Sequence, residues 1–420
     1  MKKFSYLIII IILTGILGSG NYLQAQETSP IQSKPIEEYV EFLKNHQQNP
    51  VDYILGLFKN ADIVILCERA HSEITQYKLI TDIIRDKRFI EKVGHVFLEI
   101  GNYQLQPYVE NFLMNDTLSE EEVKERLFHI IRNCSSSPLW GETNYFAFVK
   151  DIYYLNKTLS LKEKIHIYPS NMPFSWEGMT REKYEELREN RPRVRDKIIA
   201  NQIIEKYREI LNSPSIRKKA LVIMNYRHAF PHLDVRIGSK KKHIDNVGGF
   251  LMKEFPGKTA NVMLNSIRIL EATDTSLSWS ALQKGKWDAA FALAGNPDSG
   301  FDFKGSPFGS DNFDYFPYQK DYTYNDIFTG YVFYKPLEKH VLQYGTPGIF
   351  DEAFKREFIK RHRIKNENTS IEEINEKIRD LETIKSFGYD ILGESDCMEL
   401  IQNWLKKKKI MGSGQLFHNR

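Results

Sequence analysis

Four side chains in this sequence have the types and positions that suit proton transfer: Glu68, His71, Glu99 and His228. Each lies at or just past a short apolar run. Ala61-Asp-Ile-Val-Ile-Leu-Cys67 leads into Glu68, Arg69, Ala70 and His71. His95-Val-Phe-Leu-Glu99-Ile100 ends on a carboxylate and Gly101. Ala220-Leu-Val-Ile-Met224 leads into Asn225, Tyr226, Arg227 and His228. An imidazole titrates near neutrality, so it can take a proton from water or give one to a leaving group. A carboxylate beside it fixes its tautomer and stabilises its charge. A carboxylate inside an apolar run is costly to bury alone, and a neighbouring His or Arg offsets that cost. Two His and two Glu can equally bind a divalent metal, and the spacing does not choose between the two.

The elements that carry these residues read as an α/β fold. The runs at 61–67, 95–100 and 220–224 are continuous and β-branched, as in strands covered on both faces. Tyr77, Ile80, Ile83 and Ile84 fall at helical spacing between the first two runs, giving the strand–helix–strand signature of a parallel sheet. Helical patterns cover 36–43, 103–114, 119–132, 144–157 and 181–211, the last interrupted at Pro192. Further strands are expected at 164–168, 259–267 and 328–335. The sum is a mostly parallel central sheet flanked by helices over 36–345. In such sheets ligands bind outside the carboxyl ends of the strands, so three strands deliver the four residues to one edge.

Residues 295–324, rich in Gly, Pro, Asp and aromatics, have no period and read as a long irregular loop. A charged helical extension occupies 346–420. There Ser370 and Glu373 form a capping box, and Ile371, Ile374, Ile378 and Leu381 make an apolar stripe that packs on the main domain or forms a dimer contact.

The N-terminus sets the expected compartment. Lys2 and Lys3 precede an apolar run from Tyr6 to Leu17, then small and polar residues to Ala25. This is a signal-peptide pattern over 1–25, with a linker at 26–35, and it predicts a periplasmic or secreted protein without a stable membrane anchor after cleavage. Removing Lys2 and Lys3 takes the formal charge from +3 to +1. A chain so near neutrality does not advertise nucleic acid as a partner. A small-molecule substrate is the expected one, with oligomeric state open. Cys67, Cys134 and Cys397 form no CxxC pair, and Cys67 reads as a buried small hydrophobe.

At these residues the sequence resembles the erythromycin esterase-like proteins, a group in the wider superfamily with ChaN-like haem-binding lipoproteins and TraB/Tiki-type proteases. Ile65-Leu-Cys-Glu68-Arg-Ala-His71-Ser is similar to the family's Gly-Glu-x-x-His-Gly signature. Val96-Phe-Leu-Glu99, Leu139-Trp140-Gly-Glu142, Arg195-Asp196-Lys-Ile-Ile-Ala200, Asn225-Tyr-Arg-His228 and Gly248-Gly-Phe-Leu resemble later segments in order. The resemblance spans about 60–270. It departs at Cys67 and Ser72, where the family has glycines, and at Asn225, where it has a His. It implies a hydrolase of ester or lactone bonds with His71 as general base and Glu68, Glu99 and His228 positioning it and the water. Arg69, Trp140, Glu142, Arg195, Asp196 and Asn225 would then contact substrate. It also leaves open a metal-dependent peptidase and a non-catalytic haem- or ligand-binding protein. The cofactor expectation is therefore none, or a divalent metal.

Overall fold

The computed structural model describes residues 34–237, 240–272, 277–315, 322–388 and 395–414. The signal-peptide expectation at 1–25 and most of the linker at 26–35 lie outside them.

The chain forms strands β1 (Ile63–Glu68), β2 (His95–Asn102), β3 (His166–Asn171), β4 (Ala220–Asn225), β5 (Leu233–Ile237), β6 (Lys240–Ile244), β7 (Thr259–Leu264), β8 (Ile267–Ala272), β9 (Leu277–Ala281), β10 (Ser299–Asp302), β11 (Gly330–Phe333), β12 (Val341–Tyr344) and β13 (Lys385–Gly388). Seven of them make the central sheet, in the order β10-β11-β7-β1-β4-β2-β3. All neighbours are parallel except β10, which runs antiparallel to β11. This is the mostly parallel, helix-flanked sheet expected from the sequence. The expected strand at 259–267 divides into β7 and β8, because Asn265 and Ser266 turn the chain out of the sheet. There the Asn265 N–H donates to the Val332 carbonyl.

Strand parity sorts the core into two layers. Val64, Leu66, Val96, Leu98, Leu221 and Ile223 face one apolar cluster. Ile63, Ile65, Cys67, Phe97, Val222 and Met224 face the other. Side chains alternate across a strand, so each continuous apolar run feeds both helical layers. The helix Ile74–Arg85 covers the first face with Leu79, Ile80, Ile83 and Ile84. The helix Arg181–Asn212 covers the second with Ile199, Ala200, Ile203 and Tyr207. It runs through Pro192 without a break, against the expected interruption. A proline in a helix interior forfeits one backbone hydrogen bond, and the turns on both sides hold here.

The described residues of the stretch at 295–324 are mostly irregular, as expected, but not loose. They contribute β10 and a packed aromatic block in which Phe301, Phe303, Phe308, Phe313, Tyr315 and Tyr324 are all buried. Trp287 anchors it, 5.2 Å from Phe308 and 4.5 Å from Tyr324 between ring centroids. Interlocking rings, rather than a repeating pattern, order the described part of this segment.

In the C-terminal part, the helices Glu352–Lys365 and Ile371–Leu381 place Phe354, Phe358, Ile374 and Ile378 in the same cluster as the first sheet face. The Ser370–Glu373 capping box is present. No described helix is long and apolar enough to cross a membrane.

Candidate active site

The carboxyl ends of β1, β2, β3 and β4 converge, and parity decides which partner each acid meets. Glu68 continues the Val64–Leu66 side of β1. Its Oε1 accepts a 2.8 Å hydrogen bond from the hydroxyl of Tyr77, on the helix covering that face. Glu99 continues the Phe97 side of β2. Its Oε1 accepts a 2.6 Å bond from Arg195, on the helix covering the opposite face.

A register shift in β2 between Leu98 and Asn102 frees Glu99 from the ladder. Its Oε2 then accepts the Asn225 backbone N–H at 2.7 Å, ending the β2–β4 pairing with a carboxylate. Bulges often re-aim a side chain beside a site. Gly101 completes this one at φ +94°, where a Cβ would press within 3 Å of the Tyr145 hydroxyl and Pro169.

His71 joins the two faces. Its Nδ1 lies 2.7 Å from Glu68 Oε2 and its Nε2 lies 3.7 Å from Glu99 Oε1. The first is a hydrogen bond; the second is too long for one and leaves Nε2 open to another partner. Asn144 donates to the His71 backbone carbonyl and ties the loop to the helix Thr143–Lys157. The Trp140 ring meets the imidazole edge-on at 5.5 Å. Burial disfavours the charged imidazole, but Glu68, Glu99 and Glu142 together outweigh it and raise its pKa to about 9. At neutral pH His71 is therefore an imidazolium. The role of general base expected for it requires that proton to leave first.

His228 sits on the short turn after β4, in a second tier. Its Nδ1 lies 2.9 Å from Asp196 Oδ1, and its Nε2 lies 2.8 Å from Arg195 Nη1 and 3.3 Å from Glu99 Oε1. Burial lowers the His228 pKa; Asp196 and Glu99 raise it by more, with Arg195 opposing. The guanidinium N–H can donate only to an unprotonated Nε2. Arg195 Nη1 and a proton on Nε2 are therefore alternatives, and Nδ1–H donates to Asp196 in both. A proton on Nε2 requires Arg195 Nη1 to withdraw and the ring to bond Glu99. Glu99 is held well below the usual carboxylate range: burial pushes it up, but His228, Arg195 and His71 prevail. Arg195 and Asp196 thus each engage the cluster rather than each other. Gly248 and Gly249 allow the next helix to seat beneath this turn, since a Cβ there would collide with the carbonyls of Ala229 and Pro231.

The structure brings together Glu68, His71, Glu99, His228, Arg195, Asp196, Asn225, Trp140 and Glu142. It does not bring in Arg69. That side chain is buried and bonds Glu73, the Asn265 carbonyl and side chain, and the Tyr334 carbonyl at 2.5 to 2.9 Å. Its geometry leaves nothing to offer a substrate, so the expected binding role is corrected to a clamp joining β1 to the ends of β7 and β11. Two participants were missed in the sequence. Tyr77 is the one polar-tipped ring on the buried face of its helix. Asn171 ends β3 as Glu68 ends β1, and its Oδ1 accepts from Arg195 Nε at 3.3 Å.

Among the described residues, polar atoms buried without a partner at this edge include Trp140 Nε1 and Asn225 Oδ1, as well as Asn102 Oδ1 at the end of β2 and the Tyr145 hydroxyl. Orphaned buried polar atoms are rare and mark a place that a ligand or water completes. Among the described residues, no set of three or more His, Cys, Asp or Glu side chains is arranged to hold a metal ion. At the Glu99–His228 contact, the place a cation would take is filled by the Arg195 guanidinium. Cys67 is buried and its thiol is pushed up by burial, as fits a small core residue.

No protein-family profile matches the chain, and no curated protein matches it. Solved structures similar to it include an erythromycin esterase variant in its open conformation, at 11% identity and TM-score 0.44, covering 69% of this chain and 96% of that one. A protein from Bacillus cereus is similar at 12% identity and TM-score 0.43, covering 71% and 97%. A succinoglycan biosynthesis protein is similar at 8% identity and TM-score 0.43, covering 73% and 98%. These are likenesses of backbone only; the α/β architecture stands on the strand order itself.

Proposed function

We propose that the chain is a hydrolase, acting on ester or lactone bonds, with His71 as the residue that moves a proton between water and substrate. One observation carries this reading: an imidazole locked on one nitrogen by Glu68 keeps its other nitrogen open, beside buried polar atoms that lack partners. Glu99, His228, Arg195 and Asp196 form the rigid backing that holds the charge in place. Preorganised charge of this kind needs no rearrangement at the moment of reaction. In its resting form His71 is an acid toward a leaving oxygen; as a base it works only in the fraction that has lost its proton.

The test is turnover of a panel of esters and lactones by purified protein beside His71→Ala. Turnover that is absent from both, or equal in both, rejects the reading. The N-terminal pattern at 1–25 supports an exported enzyme, and N-terminal sequencing of the native protein beginning near Gln26 would bear on it.

A further inference from the structure

Two glutamates occupy the N-cap positions of the helices that flank His71, and only one of them caps. Glu73 begins the helix Ile74–Arg85, and its carboxylate accepts from the backbone N–H groups of Thr75 and Gln76. Glu142 begins the helix Thr143–Lys157 with the same extended backbone, yet its side chain makes no capping bond. The next helical N–H groups are served otherwise, with the Asn144 side chain taking the Tyr145 N–H. A cap is worth about 1 kcal/mol, and Glu142 forgoes it while remaining 6% exposed. Among the described residues its carboxylate bonds no side chain and meets only the backbone of Gly141 and its own. It is held there by a backbone bridge to Tyr344 and by the Thr143 hydroxyl on the Gly345 carbonyl.

We propose that Glu142 is the catalytic base of this site: its carboxylate takes the proton from the attacking water, and His71 gives its Nε2 proton to the leaving oxygen. The inference rests on the hydrolase reading and assigns the two proton roles within it. The step balances. The water oxygen bonds the carbonyl carbon while its proton passes to Glu142. The ester C–O bond then breaks toward the leaving oxygen, which takes the proton from His71. The products are an acid and an alcohol, and the proton on Glu142 returns to His71, which binds it more tightly.

The electrostatics support the order. Burial, with help from Glu68 and against His71, raises the Glu142 carboxyl to about 7, while His71 stands at about 9. Between those values the populated pair is carboxylate and imidazolium, the pair the step needs. The groups facing the two are Glu68, Glu99, Tyr344 and Cys134.

The test joins kinetics to a titration. On an ester that the wild type turns over, kcat/KM should form a plateau between about pH 7 and 9. Glu142→Gln should lose about 10²- to 10⁴-fold and lose the acidic limb. Glu142→Asp should recover part of the rate and the limb. By NMR, the His71 imidazole should titrate lower in Glu142→Gln than in wild type. A wild-type rate and an intact acidic limb in Glu142→Gln, with His71→Ala inactive, overturns the base and spares the hydrolase. An unmoved His71 titration overturns the base whatever the rates. An ester panel with no wild-type turnover overturns the hydrolase reading itself.

Discussion

Two buried charge clusters begin on adjacent residues, Glu68 and Arg69, and they end differently. The Arg69 cluster is closed. Its guanidinium meets Glu73 at 2.9 Å with both side chains inaccessible, and three further bonds reach Asn265 and Tyr334. Glu73 is in turn committed to two helix N–H groups, so burial is outweighed and its carboxyl is held low. The Glu68 cluster is open. Its central imidazole keeps 11% of its side chain accessible, its outward nitrogen lies beyond bonding distance of Glu99, and Trp140 and Asn225 add unpartnered atoms. The difference separates scaffold from site: a charged group buried for architecture has its bonds filled, and one buried for chemistry has a bond left over.

The sharpest way to break this comparison is to remove one cation from each cluster. Arg69→Met leaves Glu73 buried without its ion partner and should cost about 3–5 kcal/mol, read as a fall in the denaturation midpoint. His71→Ala should leave the midpoint within about 1 kcal/mol near pH 9, where the imidazole is losing its charge, while turnover falls about 10²- to 10⁴-fold. Reversed outcomes, with Arg69→Met stable but inactive, would make Arg69 the functional residue.

The second prediction sharpens the energetics of the open cluster. His71 has a pKa raised in the folded state, so its stabilisation is complete below the unfolded value near 6.5 and is lost as pH rises through about 9. Glu142, also raised, works in the same direction between about 4.5 and about 7. Wild-type stability should therefore fall from pH 6.5 to 9, by up to roughly 3 kcal/mol. In His71→Ala the slope above pH 7 should vanish. An equal slope in both proteins would place the titrating group elsewhere.

Arg195→Lys tests the second tier with a smaller effect. An ammonium is a point donor and cannot span Glu99, His228 and Asn171 as the planar guanidinium does. Turnover should fall about 10- to 100-fold, with His228 titrating higher once no guanidinium N–H occupies its Nε2. An unchanged His228 titration would count against the alternation between Arg195 and Glu99.

Much of this was legible beforehand, for a physical reason. Continuous apolar runs announce strands buried on both faces, and the residue after each run must lie at the sheet edge, so Glu68, His71, Glu99 and His228 could be placed together. Parity would have gone further: Glu68 shares its face with Leu66, and Glu99 shares its face with Phe97, which fixes the helix each one meets. Other features were not legible. The clamp on Arg69 joins it to residues 196 and 265 positions away, and nothing local marks such a bond. The aromatic block at 295–324 has order without period, because rings packed in three dimensions leave no repeat along the chain. The role proposed for Glu142 was hidden for the opposite reason. A glutamate before a helix looks like a cap, and only the missing bond shows that it is not one.

The smallest predicted effect is also the cleanest probe of the open cluster. Trp140→Phe keeps most of the ring beside His71 and removes one N–H that bonds nothing in the free protein. A buried unsatisfied donor costs roughly 1–3 kcal/mol, so its removal should leave stability unchanged or raise it slightly. If that N–H awaits a substrate oxygen, the same change removes a hydrogen bond worth about 0.5–1.5 kcal/mol from the complex, and KM should rise roughly 2- to 10-fold with kcat little altered. A residue kept for packing alone would show the reverse, with stability lost to the smaller ring and KM unmoved. A gain in melting temperature together with a weaker KM is the signature of an atom left unbonded in the fold and bonded in the complex.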